Sequence, residues 1–415
     1  MDVIKTSLII AIGITLYYLL LQWPVDSPSK DKTYSEGISV NTINDSEPLL
    51  SQPLEPLSSL GESKKEVMSE ERSYFEIKNE NLSLYLDPIT GRFELSQLNK
   101  ISKTKDSQEP FVVLGPTYDE GLNRENIYFA NSGFYTRSQG YLNPEFSKIS
   151  QERMDDGGTV YTLEGSSGGM SFIRKIDIPV TGYKIIVEDV VRSSIEEQVS
   201  VTPYVVIERD GSVVEEGGLM YTYLGPVFSS TKDTYEKYDF DDIRDSSYQN
   251  KSVGGWVALI QHYFLSAWIP DQNEEYLYQG RYGDKSGRYS LGYTSRDFLI
   301  SYGESAATKN TLYVGPKLPK QLAEIEENLD LTVDYGFLWW LGKPMYWLLD
   351  LGHSIFNNWG LAIIFLTVVL KIATWPLSAK AYVSMGKMRE LAPRLQLLQE
   401  KHGDNRQAID RKSVV

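Results

Sequence analysis

A single lysine interrupts an uncharged run of membrane length near the carboxyl end of the chain. The run extends from Trp359 to Leu377, and Lys371 is its only charged residue. A charge within a membrane-spanning segment costs about 2.5 kcal/mol or more unless it faces water or protein, so Lys371 is a candidate functional residue. Lys371 is also close enough to Pro376 for its ammonium group to reach the lipid headgroups. The position of Lys371 alone does not distinguish a polar groove around the ammonium group from an ammonium group that reaches the headgroups.

A basic amphipathic helix is predicted directly after this run, from Ser378 to Lys401. Its apolar residues recur at spacings of three and four, which is typical of a coiled-coil seam that requires a partner helix. After Asp404 only eleven residues remain. Its apolar residues are Ala381, Met385, Met388, Leu391, Leu395 and Leu398, and its basic residues include Lys380, Lys387, Arg389 and Arg394.

The net charge of −15 is unevenly divided along the 415 residues. Residues 371–415 contain nine Lys/Arg and four Asp/Glu, a net charge of +5, whereas residues 24–370 contain 31 Lys/Arg and 51 Asp/Glu, a net charge of −20. Such a step across an apolar segment is what the positive-inside rule predicts for a membrane boundary. The acidic central region would repel phosphates, which argues against nucleic-acid binding. Ordinary solubility of an exported domain explains the acidity equally well.

The amino-terminal region predicts a membrane anchor followed by a linker. Thr6–Trp23 contains no charge and is just long enough to span a bilayer. A cleavable signal peptide is the alternative, but no small-residue cleavage site follows, so residues 1–23 are expected to remain as an anchor with a cytoplasmic amino terminus. Residues 24–72 are rich in Ser, Pro and acidic residues and predict a disordered linker.

Residues 73–335 carry the alternation and turn signals of an all-β sandwich. Leu82, Leu84 and Leu86 alternate with less apolar residues before a turn, and Val201–Ile207 precedes a hairpin signal at Arg209–Ser212. Residues 336–356 are rich in aromatic residues and predict a helix in the membrane interface, with a core helix of the sandwich as the alternative.

Motifs for covalent or metal chemistry are weak. There is no cysteine, and the three histidines, His262, His353 and His402, are scattered. The glycine-rich segments 155–158 and 165–169 lack the ending of a phosphate-binding loop and predict turns. Residues 239–242 resemble a solvated acidic loop more than a Ca²⁺ site. We therefore expect no catalytic residue, no metal site and no cofactor.

Several segments together resemble the YidC/Oxa family of membrane protein insertases in its Gram-negative form. The resemblance extends from residue 1 to about residue 409, in the order found in the family. The segments that carry it are Gly254–Pro270, Tyr313–Lys317, Leu329–Gly336, Asn358–Ile364 and Pro376–Pro393.

The resemblance implies a fold and an activity. The fold would comprise an amino-terminal transmembrane helix (1–23), a linker (24–72), a large periplasmic all-β supersandwich similar to galactose mutarotase (73–335), an interfacial helix (336–356), a second transmembrane helix (357–377) and the start of a cytoplasmic helical hairpin (378–415). The activity would be the insertion of nascent membrane proteins into the inner membrane of a Gram-negative bacterium. The implied partners are the bilayer, the ribosome and the Sec translocon (SecYEG and SecDF).

The resemblance also assigns residues. The cation of the family's substrate groove falls on Lys371, and Lys380, Lys387, Arg389 and Arg394 would face the ribosome or a client. The family usually has arginine at the groove position, and a lysine lacks the forked donor geometry of a guanidinium. The family continues into further spans, so a carboxyl-terminal truncation is expected. The alternative function is a membrane-anchored periplasmic module that binds a glycan or a protein. A mutarotase-like enzyme is a third class, and it is disfavoured because this sequence contains no recognisable acid/base constellation of histidine and carboxylate residues.

Overall fold

The computed structural model describes residues 74–402, except 106, 120–123, 211–222 and 285. The predicted anchor at 1–23, the linker at 24–72, the second half of the Arg209–Ser212 hairpin signal and the end of the chain lie outside these residues. Residues 74–335 form two antiparallel β-sheets that pack face to face. The all-β expectation for this region is confirmed.

Sheet I has eleven strands around the central strand β13. Its strands are β1 (Phe75–Lys78), β2 (Leu82–Leu86), β3 (Phe93–Ser102), β4 (Pro110–Val112), β7 (Tyr128–Thr136), β8 (Gly140–Tyr141), β13 (Val199–Asp210), β16 (Tyr248–Val253), β19 (Glu275–Gly283), β20 (Arg288–Thr294) and β21 (Phe298–Ile300). The hydrogen-bonded order is β1-β2-β3-β7-β13-β20-β19-β16, and β4, β8 and β21 pair with β3, β7 and β13.

Sheet II has nine strands in the order β15-β14-β17-β18-β22-β12-β11-β10-β9. They are β9 (Lys148–Arg153), β10 (Thr159–Ser167), β11 (Met170–Ile178), β12 (Lys184–Ser193), β14 (Gly225–Ser229), β15 (Glu236–Lys237), β17 (Trp256–Ile260), β18 (Phe264–Ile269) and β22 (Ser305–Pro316). Two short strands, β5 (Thr117–Asp119) and β6 (Arg124–Asn126), pair separately. The predicted glycine-rich turns are confirmed between β9 and β10 and between β10 and β11.

Alternation along the strands builds the core between the sheets. In β11, Phe172, Arg174 and Ile176 are buried, whereas Ser171 and Lys175 are exposed. Successive side chains of a strand point to opposite faces, so one face of β11 enters the core and the other meets water. Strands β17 and β18 are buried at every residue.

Arg174 joins the two sheets from inside the core. Its Nε donates to Asp189 Oδ1 on the neighbouring strand of sheet II at 2.5 Å. Its other nitrogens donate to the Ser132 carbonyl of sheet I, at 2.6 Å, and to the Gly91 carbonyl in the turn between β2 and β3. Gly91 has φ +73°, and a Cβ there would meet Phe146 at 2.9 Å, so the turn requires glycine.

Four α-helices accompany the sandwich in the part of the chain that the structure describes. They are α1 (Phe240–Asp245), α2 (Pro319–Ile325), α3 (Trp339–Phe356) and α4 (Trp359–His402). Residues 239–242, considered as a Ca²⁺ loop, instead form a capping box at the start of α1. The predicted span and the predicted basic helix that follows it belong to one continuous helix, because α4 continues through Pro376 and Pro393. Its 44 residues extend ~66 Å at 1.5 Å per residue.

The corner between α3 and α4 is tightly packed. Asn357 has φ 50° and donates its N–H to the His353 carbonyl at 2.7 Å, which ends α3. Asn358 Oδ1 accepts from the N–H of Leu361 at 3.1 Å and so caps α4. Gly352 lies against Ala362 and Phe365, where an added Cβ would approach Phe365 to 2.9 Å. The two helices are therefore held in contact.

Replacing Arg174 should test the link between the sheets. Arg174→Met leaves the Asp189 carboxylate buried without its cation, and removing one partner of a buried pair costs about 3–5 kcal/mol. We expect a correspondingly lower urea midpoint for the sandwich domain, followed by tryptophan fluorescence. Lys175→Met, one residue along and exposed, is the control and should change stability by less than ~0.5 kcal/mol. Equal midpoints for the two variants would contradict the proposed link.

Lys317 should give the domain a pH-dependent stability. Burial lowers its pKa from 10.5 to about 8, and Asp334 acts in the opposite direction. Because the pKa of Lys317 is lower in the folded state than in the unfolded state, the folded state binds the lysine proton less tightly. The contribution of Lys317 to the free energy of unfolding therefore rises as the pH increases from about 8 to 10.5. The difference in unfolding free energy between the natural protein and Lys317→Met should follow this rise. A difference that is flat or falls across that range would refute it.

Candidate functional site

Lys371 lies near the middle of the apolar part of α4. Among the residues that the structure describes, α4 is the one helix long and apolar enough to cross a membrane, over Trp359–Leu391. The Lys371 side chain is exposed, as are those of Ile372 and Trp375. Its cation is thus presented outward from the segment Trp359–Leu377, which has no other charged residue.

The packing of α3 leaves the Lys371 side of α4 uncovered. Ala362 is fully buried where α3 contacts α4, and Phe365 packs on Phe356 with ring centroids 5.9 Å apart. At ~100° per residue, Ala362 is about 180° around the helix from Lys371 and Phe365 about 120°. The contact with α3 and the cation therefore occupy opposite sides of α4.

Hydroxyl groups accompany Lys371 on the uncovered side. Thr367, Thr374 and Ser378 lie within about 60° of Lys371 around the helix. Thr367 Oγ1 donates to the Ile363 carbonyl at 2.5 Å, and Thr374 Oγ1 donates to the Leu370 carbonyl at 2.8 Å. Because these protons are used by the backbone, the two oxygens present acceptor lone pairs outward. We call Lys371, Thr367, Thr374 and Ser378 the polar stripe.

The sequence analysis did not identify these hydroxyls. The signal was present as polar residues four before, three after and seven after Lys371, which is the spacing of one helix face. A threonine in an apolar helix can donate its hydroxyl proton to the backbone carbonyl four residues before it. Such a residue is compatible with an apolar segment, so its polarity is easily overlooked in the sequence.

The four basic residues of the distal part of α4 do not form one patch. Lys380, Lys387 and Arg389 are exposed, and Arg394 belongs to the same helix. At ~100° per residue, Lys380 and Lys387 lie within about 20° of one another, roughly opposite Lys371, whereas Arg389 is in line with Lys371. The continuous helix thus separates these two lysines from a single arginine on the side of the polar stripe.

The structure does not bring the histidines together. His262 meets Tyr263 edge to face with ring centroids 4.1 Å apart, and His353 stacks on Trp359 at 3.9 Å. His402 ends α4. Within the described residues, no group of three or more His, Asp or Glu side chains is arranged to hold a metal ion.

Helix α3 exposes large apolar side chains next to this site. Trp340 and Trp347 are 60% and 63% exposed, and Ile355 is 60% exposed. A helix in the sandwich core would bury such residues, so the core-helix alternative for residues 336–356 is wrong. A large β-sandwich, a helix with an exposed aromatic face and an apolar helix with one cation define a membrane protein with a large domain outside the bilayer.

Comparisons with known proteins identify the family. Residues 75–348 match the model of the YidC periplasmic domain, and residues 351–414 match the model of the 60Kd inner membrane protein. A relative from Azotobacter vinelandii, named membrane protein insertase YidC, is 31% identical over 429 residues, which cover 99% of this chain and 75% of the relative. A relative of the same name from Haemophilus influenzae is 31% identical over 428 residues, covering 100% and 75%. The chain belongs to the YidC family of membrane protein insertases.

A galactose mutarotase related enzyme from Lactobacillus acidophilus aligns with a TM-score of 0.37 and 7% identity, over 58% of this chain and 97% of that protein.

Proposed function

We propose that the polar stripe on α4 is the surface on which this insertase receives the polar parts of nascent membrane proteins. The observation that carries the proposal is the exposure of Lys371, beside Thr367 and Thr374, on the side of α4 that α3 leaves uncovered. A cation and hydroxyl acceptors on one side of an apolar helix retain water, or a polar peptide, below the surface of the bilayer.

The gain for a client is a smaller desolvation penalty. An unpaired polar group or an ionised carboxylate pays heavily to enter hydrocarbon. Lys371 offers such a carboxylate an opposite charge, and the threonine oxygens accept hydrogen bonds from client N–H groups. No covalent bond forms or breaks, so the proposed activity requires neither a cofactor nor a metal.

The proposed membrane arrangement follows the division of charge. Residues 1–23 anchor the chain with a cytoplasmic amino terminus, residues 73–335 lie in the periplasm and α3 lies in the outer interface. Helix α4 crosses the inner membrane and carries residues 378–415 into the cytoplasm. The net charge of −20 before Lys371 and +5 from Lys371 onward supports this orientation, and the exposed tryptophans of α3 support an interfacial position.

The basic residues of distal α4 have a proposed role in the cytoplasm. Lys380, Lys387 and Arg394 would face ribosomal RNA or an acidic client, with Arg389 in line with the polar stripe. The Sec translocon is proposed as a partner on the basis of the family resemblance.

A second candidate function is a periplasmic binding module. An open groove of about 510 Å³ lies at the turn between β10 and β11, and the residues that line it include Glu145, Ser166, Ser167, Ser171 and Ser194. Hydroxyls and a carboxylate are suited to a glycan. If the sandwich domain retained no oligosaccharide and no protein in a binding assay, this candidate would fail.

Removing the Lys371 charge should impair insertion. Lys371→Ala should lower insertion of a substrate with an acidic translocated tail by roughly tenfold or more, since a charge-assisted contact contributes about 1.5–3 kcal/mol. A substrate with a neutral tail should be affected less. Lys371→Arg keeps the charge and should remain active. Complementation and a protease-protection assay provide the measurements.

Moving the charge provides the matched control. Lys371→Ala combined with Thr374→Lys returns a cation to the same side of α4, and combined with Val369→Lys it places one on the α3 side. The first double variant should recover activity and the second should not. Full activity of Lys371→Ala with the acidic substrate would show that Lys371 only reaches the headgroups.

A further inference from the structure

The chain between the sandwich and α3 is folded onto the sandwich. Leu322 in α2, and Leu329 and Thr332 in the following 3₁₀ turn, are fully buried. The indole N–H of Trp256 in β17 donates to the Glu327 carbonyl at 3.3 Å. Helix α3 therefore starts from a fixed point and not from a free linker.

Asp334 fastens the start of α3. Its Oδ2 accepts from Lys237 Nζ on β15 at 2.5 Å, and its Oδ1 accepts from the Gly336 N–H at 2.8 Å. The Lys237 ammonium also lies 5.4 Å and 5.3 Å from the ring centroids of Tyr223 and Tyr235. This cation–π contact restricts the lysine, so the ion pair has a defined geometry.

A second ion pair reaches the middle of α3. Lys320 Nζ on α2 donates to Asp350 Oδ2 at 2.7 Å. Asp350 is eleven residues after Trp339, about 16 Å along the helix. One ion pair thus holds the segment just before α3, and the other connects α2 to α3 past the middle of the helix.

The position of Asp350 around α3 determines which movement of the helix the Lys320–Asp350 ion pair can restrict. At ~100° per residue, Trp347 is about 60° and Leu351 about 100° around the helix from Asp350. The pair therefore lies beside the exposed apolar face, which includes Trp340, Trp347, Leu351 and Ile355. A contact at the edge of a face fixes rotation of the helix about its own axis.

We propose that Lys320 and Asp350 are positioning residues for insertion: they set the rotation of α3, so that its tryptophan face meets the bilayer and α4 is held at the corresponding angle. This rests on the proposed function, in which α3 lies in the interface. An exposed pair is weak in isolation. Here the folded junction already brings Lys320 and Asp350 close together, which raises their effective concentration. The ion pair therefore only selects among the few rotations of α3 that the junction permits.

The test uses the natural absence of cysteine. Spin labels at Lys309→Cys on the sandwich and Ser354→Cys on α3 report the distance between the two parts in the full-length protein in nanodiscs. Lys320→Glu or Asp350→Lys should shift or broaden the distance distribution and lower insertion by roughly two- to fivefold. The double reversal, Lys320→Glu with Asp350→Lys, should restore both, and Lys320→Arg should preserve both. Lys148→Glu, which breaks a comparable exposed pair with Glu164, is the control.

The distance and insertion measurements together decide whether the proposal holds. Distances that do not change in the single reversals, or a double reversal that fails to restore them, would overturn the proposal. Changed distances with undiminished insertion would also overturn it. The distance readout does not involve Lys371, so its failure is distinguishable from failure of the proposed function, which Lys371→Ala reports separately.

Discussion

A positive charge on a helix that crosses lipid costs free energy unless water, an anion or protein surrounds it. Lys371 imposes this constraint on α4, and the surrounding residues are arranged consistently with it. The large apolar contacts with α3 lie on the other side of the helix, and the hydroxyls of Thr367 and Thr374 lie on the side of the charge. In the proposed function, the helix presents its polar stripe to a client while its opposite side stays packed against α3. Further along α4, Arg389 lies in line with Lys371, whereas Lys380 and Lys387 lie on the opposite side of the helix.

The sandwich gives this helix pair a stable base. A two-sheet core can shear or separate, and Arg174 resists both movements by bonding carbonyls of sheet I from a strand of sheet II. The end of the sandwich next to α3 is equally ordered, because Trp256 holds the connecting segment and Asp334 fixes the first turn before the helix. Orientation is thus transmitted from a rigid core through two carboxylates to the helix that carries the tryptophans.

Much of the architecture was predictable, and the omissions have physical causes. The alternation of Leu82, Leu84 and Leu86 and the spacing of glycines indicate strands and turns, because a half-buried strand requires both. Pro376 lies at the end of the predicted span, yet α4 continues through it, because a proline removes one backbone hydrogen bond and can kink a helix without ending it. Lys371 was identifiable because a charge in an apolar run is conspicuous. Arg174 was not, because an arginine in an alternating strand looks like a surface residue until its inward position is known. Lys320 and Asp350 are thirty residues apart, and only the folded chain brings them together.

The most direct measurement is the water accessibility of α4 around Lys371, taken with single cysteines at positions 364–378 in the otherwise cysteine-free full-length protein. A membrane-impermeant maleimide should label Thr367→Cys and Thr374→Cys, on the side of the polar stripe, at least roughly tenfold faster than Leu366→Cys and Val369→Cys on the α3 side. This is the contrast expected between a wet face and a packed, water-free one. Equal and negligible labelling at all four positions would mean that lipid surrounds this part of α4, and it would contradict the hydrated site.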